Sequence, residues 1–176
     1  MKARHIVIAT LVCLSTTLSA LAAYTPPTEA QIDAAAGNPT QLTALLNGAS
    51  LEEAAHVVKT VMARIAGLGL SDSVLNSRVN LVASTAMAAI PGPGHVAFCA
   101  MLGNEMGNSL PIRSNPALVS AMQGALTTST GTAGAAAAKA FGDAFANAAS
   151  GSGNAQNTKD ANKAQPPSAL LYQGQN

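Results

Sequence analysis

Residues 50–66 read SLEEAAHVVKTVMARIA, and this stretch decides the predicted fold class of the chain. Ser50 and Glu53 have the spacing of a capping box, in which each side chain accepts a hydrogen bond from the other residue's backbone N–H. The helix that begins there ends before Gly67. Its apolar residues recur at helical spacing and form one stripe: Leu51, Ala54, Val58, Val61, Met62 and Ile65. Its other side carries Glu52, His56, Lys59 and Ala63.

Comparable helix starts lie on both sides of this stretch. Residues 28–31, TEAQ, form a second capping box, and Asn38-Pro39 pairs an N-cap residue with proline at the first helical position. Ser71 and Asn115 precede two further helices. The predicted helices span residues 29–36, 39–47, 51–66, 72–90, 95–107, 116–126 and 134–149, with a linker at 110–114 and a polar break at 127–132.

Strand signals are nearly absent, because no segment alternates cleanly with β-branched and aromatic residues. The sequence Pro91-Gly92-Pro93-Gly94 predicts a turn, since two prolines and two glycines cannot continue a helix. The helix that follows, at residues 95–107, is apolar nearly all round and is expected to lie centrally. We therefore predict an all-α fold, a small irregular bundle of five to seven short helices with a disordered C-terminal tail.

The N-terminal residues have the three parts of a secretory signal peptide. Lys2 and Arg4 form a basic start, residues 6–21 are uncharged and mostly apolar, and residues 20–22, ALA, offer small residues to a signal peptidase. The apolar run is short for a membrane span. We therefore predict a chain exported to the periplasm or the extracellular space. The predicted domains are a signal peptide at 1–22, a helical domain at 23–149 and a disordered polar tail at 150–176.

The predicted tail is rich in Gly, Ser, Asn, Gln and Pro, a composition typical of segments that do not build a core. Local docking of its apolar cluster, Leu170-Leu171-Tyr172, is an open alternative for this part of the tail. The helical region is rich in alanine, and the whole chain has no tryptophan and 3% aromatic residues. Because small side chains bury little apolar area, we expect modest stability, or stability completed by a partner.

The distribution of charge argues against two classes of partner. The formal net charge is +1, and Lys2 and Arg4 belong to the predicted signal peptide. No strongly basic face can be drawn, so nucleic-acid binding is not expected. No cluster of Lys and Arg is placed to hold an anionic bilayer, so membrane association is not expected either.

His95 and Cys99 are the candidate metal ligands. Four residues apart, they share one helix face, and an imidazole with a thiolate can bind zinc or copper. A structural zinc site usually has four ligands, so the competing interpretation is a histidine at a helix start and a buried structural cysteine. Cys13 leaves with the signal peptide, which leaves Cys99 without an internal disulfide partner. A bond between chains is the other possibility.

No group of residues in the sequence has the pattern of a catalytic site. We therefore predict no enzyme and no cofactor. A Cys99 nucleophile with His95 as base is disfavoured, because an apolar setting raises the pKa of a thiol and no residue is placed to orient the base. Acidic residues at helix starts are explained by the helix dipole. Glu105 lies in the apolar helix and is expected to face solvent, with Arg78 or Arg113 as alternative buried partners.

Gly103 and Gly107 have the small-xxx-small spacing that favours close helix pairs in membranes. Polar residues lie between them, which favours packing in a water-soluble fold. A membrane-embedded hairpin centred on the turn at 91–94 stays open, because no charged residue lies between Arg78 and Glu105.

These observations predict an exported, non-enzymatic protein with an interaction or structural role, acting through an unknown protein partner or by self-association. Two surfaces are candidates for a helix-in-groove contact, although both also fit a plain core. They are the apolar helix Val96–Met106 and the stripe Val58, Val61, Met62 and Ile65. The alternative function is binding of a metal or small ligand, by His95 and Cys99 or by a cavity between helices. An amphipathic envelope-associated protein is a third possibility.

Overall fold

The computed structural model describes residues 25–129 and 134–151, which form helices joined by short connections. Within these ranges there are eight α-helices and one 3-10 turn, and no strand. The helices are α1 (Glu29–Ala35), α2 (Pro39–Leu46), α3 (Leu51–Ala66), α4 (Asp72–Ala89), α5 (His95–Gly107), α6 (Leu110–Arg113), α7 (Pro116–Ser129) and α8 (Gly134–Ala149). The 3-10 turn Gly92–Gly94 joins α4 to α5. The predicted all-α bundle is confirmed, with one helix more than the upper predicted number.

Side-chain caps begin several helices at the predicted residues. Thr28 and Ser50 each complete a capping box. The Asn38 side chain accepts hydrogen bonds from two backbone N–H groups of α2, and Asn115 accepts one from α7. Ser71 differs from the prediction, because it precedes α4 without making a side-chain capping bond. Local polar groups therefore set where four of the eight described helices begin, by satisfying N–H groups that the helix leaves unpaired.

Two segments are more helical than predicted. The predicted linker contains the four-residue α6, in which Ile112 is fully buried. The predicted polar break starts too early, since α7 continues to Ser129. Thr127 and Thr128 donate hydroxyl hydrogen bonds to carbonyls one turn earlier, at 2.9 and 3.2 Å. A threonine whose hydroxyl is satisfied in this way can be accommodated inside a helix.

Helices α3 and α5 lie at the centre of the bundle. Helix α3 packs against α1, α2, α4, α5 and α6, while α5 packs against α3, α6 and α8. The predicted stripe of α3 is buried except for the half-buried Leu51. Ala55 and Val57 are buried beside it, so α3 is enclosed over a wider arc than predicted. The largest contributions of α5 to the core come from Phe98, Leu102 and Met106.

Helices α5 and α8 approach each other so closely that their backbones touch. A Cβ atom at Gly103 would overlap the carbonyl oxygen of Phe141, and one at Gly107 would lie 2.6 Å from the carbonyl oxygen of Phe145. Because the two glycines meet successive turns of α8 in the same order, the helices run in the same direction. The small-xxx-small pair therefore packs inside this chain.

The predicted signal peptide, and residues 152–176 of the predicted tail, lie outside the described residues. Among the described helices, none is by itself long and apolar enough to cross a membrane. Helix α4 and the segment Gly92–Gly107 pass that test only as a pair, with a bend of 119° between them. Both members also supply buried side chains to the core. The membrane-embedded hairpin stays a prediction.

Candidate functional site

His95 is the first residue of α5, and its ring is tied to the end of α4. The Nε2 atom lies 2.9 Å from the carbonyl oxygen of Met87 and 2.9 Å from that of Ile90. In the tautomer that carries a proton on Nε2, one N–H is shared between two acceptors. Carbonyls at the end of a helix lack partners within it, so this bond satisfies them. The side chain of His95 thus fastens α5 to α4 across the turn.

Cys99 is completely buried one turn further along α5. Its Sγ atom lies 3.9 Å from the Sδ atom of Met87, and apolar side chains surround both. Burial raises the pKa of the Cys99 thiol to about 12. The prediction of a buried structural cysteine is confirmed. The thiolate that metal binding or nucleophilic attack requires is disfavoured near neutral pH.

The structure brings no further ligands to the predicted metal pair. In residues 25–129 and 134–151, no group of three or more His, Cys, Asp and Glu side chains is placed to hold a metal ion. His95 uses Nε2 to contact backbone carbonyls, and Cys99 lies inside the core. Each residue therefore has a packing role, and metal binding by the pair stays a prediction.

We expect the Cys99 thiol to resist chemical modification in the folded protein. At pH 8, 5,5′-dithiobis(2-nitrobenzoate) should react at least about a hundredfold more slowly than in guanidinium chloride, because burial limits both access and thiolate formation. Release of thionitrobenzoate, followed by absorbance, measures the rate. Rapid labelling of the folded chain, or a disulfide-linked dimer on a non-reducing gel, would contradict the buried assignment.

The raised pKa of Cys99 also predicts a loss of stability at alkaline pH. The thiol of the unfolded chain releases its proton near pH 9.0, whereas the folded chain holds it until about pH 12. Because the unfolded state binds fewer protons in this window, stability should fall as pH rises from 9 to 12. Urea unfolding at several pH values measures the fall, and Cys99→Ala should make the curve shallower. An equal slope in this variant would assign the fall to other groups.

A polar cluster joins α3 to α5 at the surface. Glu105 Oε2 lies 3.3 Å from His56 Nδ1 and 3.7 Å from Lys59 Nζ. The Glu105 side chain is 38% exposed, so it faces solvent in part. Its partners are these residues of α3 and not Arg78 or Arg113, the predicted alternatives. Exposed ion pairs of this kind contribute little to stability, and the cluster carries no functional assignment.

A wide groove lies between α2 and the C-terminal half of α4. It has a volume of about 830 Å³ and is broadly open to solvent. No charged side chain lines it, and most of its lining residues are small, among them Pro39, Thr43, Ala44, Thr85, Ala88 and Pro91. Alanine and threonine side chains are too short to fill the space where these two helices face each other. We call this space the α2–α4 groove.

Helix α4 also carries exposed apolar residues on the side where Ala88 lines the groove. Val74 and Leu81 are 43% and 36% exposed, and Ala88 follows at the same spacing of seven residues. Residues seven apart lie on one side of a helix. Arg78 lies on the same side of α4, between Val74 and Leu81, and no Asp, Glu, Lys or Arg follows it before Glu105, so this face is uncharged from Leu81 to Ala88.

A second, smaller groove lies between α1 and the end of α3. It encloses about 450 Å³, and Pro27, Ile32 and Leu68 contribute apolar surface to it. Glu29 and Arg64 also line this groove. Its lining therefore carries both signs of charge, unlike that of the α2–α4 groove.

The two surfaces that the sequence offered for a partner are largely core. All four residues of the α3 stripe, Val58, Val61, Met62 and Ile65, are at most 1% exposed. In the Val96–Met106 segment, the side chains with substantial exposure are Val96, Ala97, Asn104 and, in part, Glu105. For the α3 stripe, the alternative of a plain core is confirmed, because neighbouring helices cover it. The uncharged α2–α4 groove is the better candidate.

The fold and the site define a small all-α bundle with an open, uncharged groove between two of its helices. No protein-family model, curated protein or solved structure matches this chain. The function is therefore argued from the groove and the sequence.

Proposed function

We propose that this chain is an exported, non-enzymatic interaction protein that holds an uncharged, apolar segment of a protein partner in the α2–α4 groove. The observation that carries the proposal is the groove itself, about 830 Å³ of open space with no charged side chain in its lining. The signal peptide predicted at residues 1–22 supports a role outside the cytoplasm.

The chemistry of the groove favours an apolar occupant. A bound segment gains free energy by burying apolar surface, at about 25 cal/mol per Å². Charged side chains on the segment would lose hydration without meeting an opposite charge, which is costly. The small side chains of Ala44 and Ala88 let the backbone of a bound segment come close to both helices. In helix-in-groove recognition, the apolar face of a bound helix lies in a groove of this kind.

The test uses a tagged full-length chain recovered from the exported fraction of its native source. Ala88→Arg places a long charged side chain in the groove, and arginine is nearly as good a helix former as alanine. We expect this variant to recover at least about tenfold less partner than the unchanged chain, a loss of ~1.4 kcal/mol. The captured partner is then purified and its direct binding to both forms is measured by calorimetry.

Ala146→Arg is the matched control, since Ala146 is exposed near the end of α8 just as Ala88 is near the end of α4. This variant should recover the partner normally. A partner that binds equally well to the Ala88→Arg chain would refute the groove as the docking surface. Recovery of an uncleaved chain in the cytosol would refute export.

A second candidate function is binding of a small apolar ligand in the same groove. The observation that favours it is the volume, since small-molecule sites are commonly about 300–1,000 Å³. A ligand that binds the folded state raises its stability by mass action. Octanol, an uncharged apolar probe added at increasing concentration, should then raise the melting temperature of the unchanged chain but not of Ala88→Arg. Zinc sulfate in a parallel titration tests the predicted metal pair His95 and Cys99.

A further inference from the structure

The chain contains its own apolar segment outside the described residues. We propose that Leu170, Leu171 and Tyr172 occupy the α2–α4 groove of the same molecule, so that a partner segment binds by displacing them. The inference rests on the proposed docking role of the groove and adds a regulatory element to it.

The chemistry of the C-terminal residues matches that of the groove. No charged side chain follows Lys163, and Ala169-Leu170-Leu171-Tyr172 is an uninterrupted apolar run. Pro166-Pro167, directly before it, restricts the backbone to extended conformations that lose little entropy on docking. An uncharged groove and an uncharged apolar segment can associate without desolvating a charge on either side.

The length of the chain allows the segment to reach the groove. The described residues end at Gly151, and residues 152–169 span about 60 Å when fully extended. A domain of this size has a radius of gyration of about 14 Å, so any point of its surface is within reach. A segment tethered to the chain that carries the groove has an effective concentration in the millimolar range. Even a weak segment, with a Kd of about 1 mM, is therefore docked for about half of the time or more.

The α2–α4 groove is a better match for this segment than the second groove. Glu29 and Arg64 line the second groove, and Arg64 also forms an ion pair with Asp33 at its edge. Placing leucine and tyrosine side chains there would remove water from charged groups without replacing their hydrogen bonds. The second groove is also smaller, about 450 Å³ against about 830 Å³.

Tyrosine fluorescence provides a direct test, because the chain has no tryptophan and only two tyrosines, Tyr24 and Tyr172. In the Tyr24→Phe chain, Tyr172 is the sole fluorescent phenol. We expect acrylamide to quench it with a constant about half that of a free peptide of residues 164–176, or less, given the docked fraction. Adding Ala88→Arg should restore the value of the free peptide. Adding Ala146→Arg, the matched control, should leave the protection in place.

Several outcomes would overturn the inference. Quenching of the Tyr24→Phe chain equal to that of the free peptide would show that Tyr172 does not dock. Protection that survives Ala88→Arg would place the segment elsewhere on the molecule. Protection that grows with protein concentration would assign the segment to the groove of a second copy.

The inference and the proposed function fail in different ways. If Tyr172 is freely quenched but Ala88→Arg still abolishes partner capture, the groove binds a partner without a tail. If Tyr172 is protected from quenching only in the chain that retains Ala88, and Ala88→Arg leaves partner capture unchanged, the groove binds the C-terminal segment and not a partner. When the proposed function and the inference both hold, the double substitution Leu170→Asn with Leu171→Asn should raise partner affinity about twofold or more. The reason is that it weakens binding of the competing C-terminal segment to the groove.

Discussion

Gly103→Ala is expected to lower the free energy of unfolding by about 1–3 kcal/mol or more, although it adds a single methyl group. The backbone of α8 passes directly over Gly103. A Cβ atom there would overlap the carbonyl oxygen of Phe141 and lie 3.0 Å from its carbonyl carbon. These atoms belong to a backbone and not to the end of a flexible side chain, so α5 and α8 must move apart to admit the methyl group.

Gly124→Ala is the matched control for this substitution. Gly124 lies inside α7, and a Cβ atom built there meets no other atom within 4 Å. Its backbone does not adopt a positive φ angle. Alanine is favoured over glycine in a helix interior by about 0.5–1 kcal/mol, so this variant should be more stable than the unchanged chain. If Gly103→Ala lowers the free energy of unfolding and Gly124→Ala raises it, the effect at Gly103 comes from close packing and not from intrinsic helix propensity.

Urea unfolding followed by far-ultraviolet circular dichroism measures both effects on the same scale. Gly107→Ala should share the sign of Gly103→Ala, because a Cβ atom at Gly107 would lie 2.8 Å from the Cβ atom of Ala148. If Gly103→Ala is as stable as the unchanged chain, the close approach of α5 and α8 is wrong.

Local signals made most of the helices predictable. A capping box such as that at Ser50 specifies a helix start within four residues, and the apolar stripe of α3 specifies its buried side. Both features depend on neighbours in the sequence, which a reader of the sequence can see. Helix α6 was missed because it is too short to show periodicity. The end of α7 was missed because Thr127 and Thr128 were interpreted as polar breakers, whereas their hydroxyls bond to the preceding turn.

Contacts between distant segments were not predictable from a single sequence. The α2–α4 groove exists because two helices with small side chains face each other, and neither helix by itself reveals that pairing. Glu105 meets His56 and Lys59 for the same reason, since only the packing of α3 against α5 brings them together. The signal available was the spacing of His56 and Lys59, three residues apart on the polar side of α3.

The α3 stripe shows that an amphipathic pattern alone does not distinguish a face that covers the core from a face that binds a partner. A stripe such as Val58, Val61, Met62 and Ile65 has the same pattern whether it covers a core or awaits a partner. Burial decides between the two, and here the neighbouring helices cover the stripe. The groove that remains open is lined mostly by small side chains from two separate helices, so no hydrophobic pattern pointed to it. Its distinguishing property, an uncharged lining, becomes visible only in three dimensions.

Phe141→Ala is expected to have the largest effect of any single substitution considered, a loss of about 3–5 kcal/mol. Phe141 is completely buried on α8, and the chain has only three phenylalanines and no tryptophan. Alanine is the most frequent residue in the buried core, and its methyl group cannot reach into the space that the ring leaves. Because domains are typically stable by only about 5–15 kcal/mol, this variant should be close to unfolded at 37 °C.

Phe145→Ala is the matched control for Phe141→Ala. The two rings stack on each other with centroids 6.0 Å apart, so either substitution removes the same ring contact. Phe145 is half-buried, and its replacement opens a cavity that solvent can enter. The difference between the two losses of stability therefore measures the effect of burying the Phe141 ring under α5. The contribution of aromatic stacking cancels, because both variants lose it. Thermal unfolding of both variants and the unchanged chain gives that difference, and equal losses at the two positions would contradict a core centred on the contact of α5 with α8.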